Sequence, residues 1–430
     1  MTRYLIPIAG LLAATGCTVT SHRLDPADEL AAERVKPGIS ILLGDSMQLI
    51  RGKRIALLTN QTGIDEKGHS DIDLLTGDRA KKAGVTLVKL FSPEHGIRGT
   101  EDKENIGNSV DEKTRLPIIS LYGAGTQAPA DSSLANIDAL VFDLQDIGTR
   151  TWTYVGAMVY SMRTAARTGK MIIVLDRPNP ITGFYVEGPV LDAQLANAND
   201  PTPAKAGQAY ALYPMPLRHG MTMGEMALFF NDVLGIKANL KVVAMRNWRR
   251  ELWFDRTDLP WVKPSPNMPS LQSAMLYPAL VPFEGSNLSV GRGTPVAFQI
   301  IGAPWLKAEE TVKLLRDREA RGVRFVAEEF TPENPTDNKF GGQKIPGIRM
   351  YVTNRNEMQP SRVGAMLLWA INKTSGADLK LNNRTFDLRM GAPRVREALL
   401  RGDDPQAVID REYKAAFDFR EQTRRYLLYN

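Results

Sequence analysis

Cysteine and histidine are scarce in this chain of 430 residues, which has one cysteine and four histidines. A single cysteine cannot form a disulfide within the chain, and it cannot build a zinc site from several thiolates. The histidines do not recur at the H-x-x-x-H spacing by which a helix presents two imidazoles to one ion. We therefore expect no metal site.

Phosphate-binding motifs and long blocks of like charge are also lacking. The formal net charge is only +6, so no dedicated nucleic-acid surface is expected, although an anionic substrate would suit it. Neither G-x-x-x-x-G-K-[ST] nor G-x-S-x-G occurs, which argues against P-loop enzymes and typical serine hydrolases. Residues 123–128 fit G-x-G-x-x-A, but Pro129 follows at once and leaves little room for a pyrophosphate-binding helix. No cofactor is expected.

The N-terminus has the pattern of a secreted protein. Arg3 precedes an apolar stretch over 4–14 that is too short to cross a bilayer as a helix. The segment L-L-A-A-T-G-C, which ends at Cys17, resembles a bacterial lipobox, in which the cysteine is lipidated. The cysteine is followed by Thr18 rather than by aspartate, a pattern that favours retention of the lipoprotein in the outer membrane. We interpret residues 1–17 as a lipoprotein signal peptide and 18–36 as a tether to a periplasm-facing protein; an ordinary signal cleaved nearby is the alternative.

Short apolar runs recur along the first half of the chain. They cover 54–59, 85–91, 118–122, 139–142 and 171–175. Nearly continuous apolar runs of this length are typical of strands buried on both faces. A helical pattern lies between the last two runs, where Tyr154, Met158 and Met162 share one face. Strands that alternate with helices predict an α/β fold with a doubly wound parallel sheet.

The pattern changes after this region. Thr222-Met-Gly-Glu225 is a capping box that predicts the start of a helix, which makes Glu225 a structural residue. Four prolines within 260–269 exclude regular structure and suit a crossing between domains. We therefore predict an N-terminal domain over 37–262 and a smaller α+β domain over 263–430.

Polar residues follow the ends of the predicted strands. Ligands of open α/β sheets bind in the crevice outside the carboxyl ends of the strands. Each of these polar residues could instead cap a helix or shape a turn. The residues expected at this edge are Glu94, His95, Asp143, Gln145, Asp146, Asp176, Arg177 and Asn179.

Two glutamates suggest a pair of carboxylates. Glu94 directly follows a predicted buried strand, and Glu187 lies beyond the strand that ends near residue 175. Glycosyl transfer needs one carboxyl group that protonates the leaving oxygen and a second that activates water or stabilises the oxocarbenium ion. Hydrophobic surroundings would raise the pKa of Glu94, as a general acid requires.

Ten segments, taken in order, resemble the exo-β-N-acetylmuramidase family. The resemblance extends from about residue 38 to residue 429, nearly the whole chain after the tether. The segments are L-L-T-N-Q-T-G (57–63), F-S-P-E-H-G-I-R-G (91–99), V-F-D-L-Q-D-I-G-T-R (141–150), L-D-R-P-N-P (175–180), V-E-G-P (186–189), H-G-M-T (219–222), P-S-P-N-M-P (264–269), E-G-S-N (284–287), G-R-G-T (291–294) and G-A-P-W (302–305).

The resemblance implies a fold and an activity. It implies a Rossmann-like N-terminal domain, a smaller C-terminal domain and an active-site cleft between them. It further implies release of N-acetylmuramic acid from the non-reducing end of peptidoglycan fragments, with Glu94 as general acid and Glu187 as its partner. Retention, inversion and participation by the substrate's acetamido group all stay open. The rival hypotheses are a non-catalytic peptidoglycan-binding lipoprotein and, more remotely, a nucleotide-dependent enzyme.

The motifs also supply candidates for contact with the sugar. Arginine can grip the lactyl carboxylate of N-acetylmuramic acid with two hydrogen bonds, although an ion pair with a neighbouring aspartate is the alternative for each one. Histidines could bind sugar hydroxyls or be structural, and Asp143 and Asp146 could orient the arginines. The remaining candidates at the site are His95, Arg98, Gln145, Arg150, Asp176, Arg177, Asn179, His219, Asn267, Asn287, Ser289 and Arg292.

Overall fold

The computed structural model describes residues 34–93, 97, 107–121, 128–197, 206–318 and 320–430. Four residues that the sequence singles out, Cys17, Glu94, His95 and Arg98, lie outside these ranges. The predictions for those four residues stay predictions.

A seven-stranded sheet forms the centre of the N-terminal region. Its order is β3-β4-β2-β1-β5-β6-β9, and every neighbouring pair is parallel except β3 with β4. The strands of this sheet are β1 (Arg54–Thr59), β2 (Thr86–Ser92), β3 (Ser109–Val110), β4 (Pro117–Ser120), β5 (Ala139–Asp143), β6 (Met171–Leu175) and β9 (Asn239–Val243).

Both faces of this sheet are buried, which explains the continuous apolar runs in the sequence. Alternate residues of one strand point to opposite faces. Ala56 and Leu58 belong to the larger hydrophobic core on one face, together with helix α4 (Tyr154–Arg167). Ile55 and Leu57 belong to a second core on the other face, which also contains residues of helix α1 (Gly38–Leu43). The doubly wound α/β prediction is confirmed.

The predicted strands lie close to the observed ones. Two of them, 54–59 and 171–175, have the observed bounds. The second strand begins one residue later than predicted because the β1–β2 ladder starts with Arg54 opposite Thr86. The third ends at Ser120, the residue that pairs with the last residue of β2.

A hairpin and short helices complete the N-terminal region. The hairpin joins β7 (Glu187–Val190) to β8 (Pro216–Arg218) in antiparallel register. Helices α2 (Asp71–Thr76) and α3 (Asp78–Lys82) lie between β1 and β2. Helix α5 (Met223–Val233) starts with the predicted capping box, in which the Thr222 and Glu225 side chains each bond the other's backbone N–H.

The C-terminal region is smaller and mixed, as predicted. Its antiparallel sheet has the order β10-β12-β11, and its apolar side chains continue the larger core of the N-terminal region. No helix within the described ranges is both long and apolar enough to cross a membrane. The elements are α6 (Leu271–Leu280), β10 (Ile300–Gly302), α7 (Ala308–Arg316), β11 (Val323–Phe330), β12 (Ile345–Val352), α8 (Pro360–Ser375), α9 (Asn383–Met390), α10 (Pro393–Arg401), α11 (Pro405–Asp410) and α12 (Tyr413–Thr423).

Candidate active site

A buried ion pair lies at the carboxyl edge of the main sheet. Asp143 ends β5, and both of its carboxylate oxygens accept hydrogen bonds from the guanidinium of Arg177, which follows β6. The same guanidinium donates to the carbonyl of Ile64 at 2.8 Å and lies 3.9 Å from a carboxylate oxygen of Asp71. Burial and the neighbouring Asp143 raise the pKa of Asp71 well above its usual value. Arg177 is therefore bonded to Asp143, with Asp71 nearby but without a hydrogen bond to it.

Gln145, Asp146 and His219 lie together beside this pair. The Gln145 side chain donates to the carbonyls of Asp146 and Pro178 at 2.8 and 2.7 Å. One carboxylate oxygen of Asp146 accepts the Gly148 N–H at 2.6 Å and lies 3.3 Å from Nε2 of His219. Nδ1 of His219 accepts the Met221 N–H at 3.1 Å, which assigns the proton of a neutral ring to Nε2, on the side of Asp146.

Asp176 and Asn179 are occupied with the local backbone. Asp176 accepts the Gly224 N–H at 2.8 Å and the hydroxyls of Thr222 and Tyr429 at 2.7 and 2.6 Å. Its complete burial raises its pKa to about 7 despite these bonds. Asn179 bridges the N–H of residue 181 and the carbonyl of residue 221. In these contacts the two side chains fix a helix start and a turn.

Glu187 occupies a different kind of environment. It is the first residue of β7 and lies opposite Arg218 of β8 in the hairpin register. The Nη1 atom of Arg218 is 3.6 Å from Oε1 of Glu187, and this oxygen has no hydrogen-bond partner among the described residues. Burial raises the pKa of Glu187 to about 7, although Arg218 and Arg362 act to lower it. Its side chain is still 18% exposed, so a proton can be exchanged with a bound molecule.

Aromatic rings hold Arg218 in place. Its guanidinium lies 4.7 Å from the ring centre of Tyr185 and 5.5 Å from that of Trp253, and it donates to the carbonyl of Ile181. The indole N–H of Trp253 donates to the side chain of Asn356 at 3.0 Å. Asn356 belongs to the C-terminal region, so the surroundings of Glu187 are built from both halves of the chain.

The other motif arginines in the described ranges also have partners within the protein. Arg150 donates to the carbonyls of Tyr210, Leu388 and Arg389 at 2.7, 3.0 and 2.7 Å. Arg292 donates from Nε and Nη2 to one carboxylate oxygen of Glu284, at 2.9 and 2.5 Å. Arginine pairing with aspartate, the alternative raised from the sequence, describes Arg177, whereas Arg292 pairs with a glutamate.

Three polar residues of the C-terminal motifs support loops. Asn287 accepts the N–H of residue 380 and donates to the carbonyl of residue 378, both at 2.9 Å. The hydroxyl of Ser289 accepts the Gly291 N–H at 3.2 Å. Asn267 is buried in the proline-rich crossing, where its N–H donates to the hydroxyl of Ser265 at 3.3 Å. In these contacts all three residues stabilise the loops in which they lie.

The predicted residues thus form separate groups. Asp143 with Arg177, and Gln145 with Asp146 and His219, meet at the sheet edge; Asn287, Ser289 and Arg292 lie in the C-terminal region. Sequence reasoning missed Arg218, although it directly precedes the H-G-M-T segment. It also missed Arg389, which contacts Glu284 across 105 positions and has no local signal. No three His, Cys, Asp or Glu side chains gather to hold a metal ion in the described part of the chain.

Comparisons with known proteins agree along the whole length. Residues 55–272 match the family described as exo-beta-N-acetylmuramidase NamZ, N-terminal, and residues 275–429 match its C-terminal counterpart. The chain is 37% identical over 425 residues to the peptidoglycan beta-N-acetylmuramidase NamZ of Bacillus subtilis strain 168, an alignment that covers 98% of each chain.

Solved structures show the same fold. A crystal structure of a DUF1343 family protein from Bacteroides fragilis NCTC 9343 has a TM-score of 0.81 and 32% identity, covering 92% of this chain and 99% of that one. A second DUF1343 protein from the same organism has a TM-score of 0.71 and 27% identity, covering 93% and 99%. With both halves matched by the family and a relative at 37% identity over 98% of the chain, this protein belongs to the exo-beta-N-acetylmuramidase NamZ family.

Proposed function

We propose that this protein is an exo-acting glycoside hydrolase that releases N-acetylmuramic acid from the non-reducing end of peptidoglycan fragments, in the turnover of the cell wall. The observation that carries the proposal is the likeness to a peptidoglycan beta-N-acetylmuramidase over 98% of both chains. The environment of Glu187 supports it, because a carboxyl group with a pKa of about 7 can exchange a proton near neutral pH.

In the proposed reaction Glu94 protonates the glycosidic oxygen as the bond to the anomeric carbon breaks. Glu187 then has one of three roles. It activates the attacking water, attacks the anomeric carbon itself, or orients the acetamido group of the substrate. Separations of about 6.5–9.5 Å and about 5 Å between the two carboxyl groups correspond to the first two roles. The stereochemistry of the released sugar, followed by NMR, separates inversion from retention.

Hydrolysis of a chromogenic β-N-acetylmuraminide tests the proposal. The wild-type protein should release the chromophore together with free N-acetylmuramic acid. Glu94→Gln should lower kcat by about 10²–10⁴-fold while leaving substrate binding nearly intact, because glutamine cannot donate the proton. Glu329→Gln is the matched control, since Glu329 is 60% exposed and pairs with Lys344 on the surface. Tight binding of the sugar without release by the wild-type protein would favour a peptidoglycan-binding lipoprotein instead.

We also propose that the protein is anchored to the periplasmic face of the outer membrane through a lipid on Cys17. The support is the sequence of residues 1–17 alone, with a short apolar stretch followed by T-G-C. Expression in a Gram-negative host with a labelled fatty acid should give a labelled membrane protein. Cys17→Ser should abolish the label and keep the signal peptide attached. A labelled Cys17→Ser protein, or an unlabelled wild type that is cleaved, would contradict the anchor.

A further inference from the structure

Three cationic side chains surround one carboxylate in the C-terminal region. Glu284 accepts hydrogen bonds from Arg292 at 2.9 and 2.5 Å and from Nε of Arg389 at 3.2 Å. Lys339 donates from Nζ to the backbone carbonyls of Glu284 and Leu288 at 3.3 and 3.0 Å. We call Glu284, Arg292, Lys339 and Arg389 the Glu284 cluster. Three cations therefore surround a single glutamate.

The surroundings of this cluster add one cation and one carboxylate, so that the cations still outnumber the carboxylates. Arg150 lies beside it, because its guanidinium donates to the backbone carbonyl of Arg389 at 2.7 Å. The nearest further carboxylate is that of Asp337, 3.8 Å from Nζ of Lys339. Burial lowers the pKa of Lys339; Asp337 and Glu284 oppose this shift, whereas repulsion from Arg292 and Arg389 adds to it. An anion that binds here would relieve this repulsion.

Arg389 carries the hydrogen-bond donors that the cluster leaves unused. Its Nε binds Glu284, but its Nη1 is buried without a partner in the described part of the chain. A buried charged donor without an acceptor is unfavourable, so a bound acceptor would stabilise it. The guanidinium lies 4.7 Å from the ring centre of Tyr210, which fixes its plane. The guanidinium fork is thus held in one orientation, and its unpartnered Nη1 can donate to an oxygen of a carboxylate.

The cluster is partly exposed, and the segment after Arg389 contacts the segment after the β7 strand. The side chains of Arg389, Glu284 and Arg292 are 19%, 14% and 21% exposed, so they are shielded from bulk water but not sealed. Arg389 lies in the last turn of helix α9, and the carbonyl of Gly391 just beyond that helix accepts the N–H of Asp192 at 2.8 Å. Asp192 follows β7, the strand that starts with Glu187.

We propose that the Glu284 cluster binds a carboxylate of the sugar substrate, with the unpartnered Nη1 of the Arg389 fork as the donor and Arg292 and Lys339 supplying the charge. The inference rests on the proposed function, in which the substrate is a muramic acid derivative. It goes beyond that function because it assigns the recognition of the acid to named residues, of which Arg389 and Lys339 lie outside the shared motifs. The carboxylate belongs to the lactyl group or to a stem peptide, and the two are separable by experiment.

Binding measured by calorimetry tests the proposal without any turnover. N-acetylmuramic acid should bind the wild-type protein about 10- to 100-fold more tightly than its lactyl methyl ester, which has lost the charge. Arg389→Gln should remove most of this difference and leave the affinity for the ester unchanged. Arg389→Lys should restore part of it, because lysine keeps the charge but lacks the fork. Arg318→Gln is the matched control, since Arg318 is 36% exposed and pairs with Asp404 elsewhere.

Each outcome decides the inference. Equal binding of acid and ester by the wild type would exclude the lactyl carboxylate, and the proposal would be overturned if the binding of muramyl dipeptide were also independent of Arg389; an equal loss for acid and ester in Arg389→Gln would exclude the lactyl carboxylate in the same way. Muramyl dipeptide, whose lactyl group is an amide, identifies the source: binding that still depends on Arg389 assigns the site to a peptide carboxylate. If Arg389→Gln does not fold, the wild-type acid–ester comparison and Lys339→Gln still answer the question. Failure to hydrolyse the chromogenic substrate would refute the hydrolase proposal and leave this comparison unaffected.

Discussion

Glu187 and Glu284 both face arginines, yet the pKa values of their carboxyl groups are shifted in opposite directions. Burial raises the pKa of Glu187 to about 7, above its ordinary value of 4.5. Burial acts in the same direction on Glu284, but Arg292 and Arg389 outweigh it and hold the pKa below that ordinary value. Similar exposure, 18% against 14%, shows that burial alone does not separate the two.

Hydrogen-bond geometry explains the opposite pKa shifts of Glu187 and Glu284. Glu284 accepts from two guanidinium groups at hydrogen-bond distance, so its ionised form is stabilised directly. Glu187 has one arginine at 3.6 Å, and Oε1 has no hydrogen-bond partner within the described residues. The attraction therefore offsets only part of the cost of burying the charge. A carboxyl group of the first kind holds cations in place, whereas one of the second kind can gain or lose a proton near neutral pH.

The largest effect should follow from removing the titratable group of Glu187. Glu187→Gln should lower kcat on a chromogenic β-N-acetylmuraminide by about 10²–10⁴-fold with little change in KM, because glutamine keeps the shape but cannot exchange a proton. Steady-state kinetics at pH 6–8 measure this. Glu329→Gln, on the surface, should behave as wild type. A kcat within a factor of a few of the wild-type value would remove Glu187 from the mechanism.

The same substitution at Glu284 should act on stability instead. Glu284→Gln leaves Arg292 and Arg389 without their counter-ion, and breaking a buried ion pair of this kind costs about 3–5 kcal/mol. Its pKa is lowered in the folded state, so its contribution is present above about pH 4.5 and is lost as the pH falls through the folded value. Urea unfolding should therefore show a large difference from wild type at pH 7 and a smaller one near pH 4. A difference that grows on acidification would contradict this assignment.

Substitution of Arg218 offers a way to raise the pKa of Glu187 further. Arg218→Gln removes a cation that lowers the pKa of Glu187, so that pKa should rise further above 7. The limb of the kcat/KM profile that reports Glu187 should then move to higher pH by about one unit. Arg218→Lys keeps the charge and should leave the limb near its wild-type position. A folded Arg218→Gln protein with an unshifted profile would show that Arg218 only supports the hairpin.

The main elements of the fold could be predicted from local sequence patterns. The parallel strands were predictable because β1, β5 and β6 are buried on both faces and read as unbroken apolar runs. The edge strand β9 was missed, since its residues alternate between exposed and partly buried and include Asn239 and Lys241. The capping box was predictable because Thr222 and Glu225 are three positions apart.

The candidate site is less predictable because its contacts join distant segments. Polar residues after β5 and β6 were expected at one sheet edge, and Asp143 does meet Arg177 there. Sequence spacing does not reveal that Arg177 is bonded to Asp143 while Arg389 keeps unused donors. The pKa of Glu187 depends on burial by both halves of the chain, which no local pattern encodes. The motifs indicate which residues to consider, and the contacts then distinguish a structural role from a chemical one.

The smallest effect concerns stability at Glu187, and its sign is opposite to that at Glu284. A carboxyl group whose pKa is raised from 4.5 to about 7 on folding favours the folded state below pH 4.5, and this contribution is lost as the pH rises through 7. Glutamine does not ionise, so Glu187→Gln should stabilise the protein by about 1 kcal/mol at pH 8, after allowance for partial exposure, and not at pH 4. Thermal unfolding at the two pH values measures the difference. A variant that is less stable than wild type at pH 8 would mean that the ionised Glu187 is well paired, which would erase its distinction from Glu284.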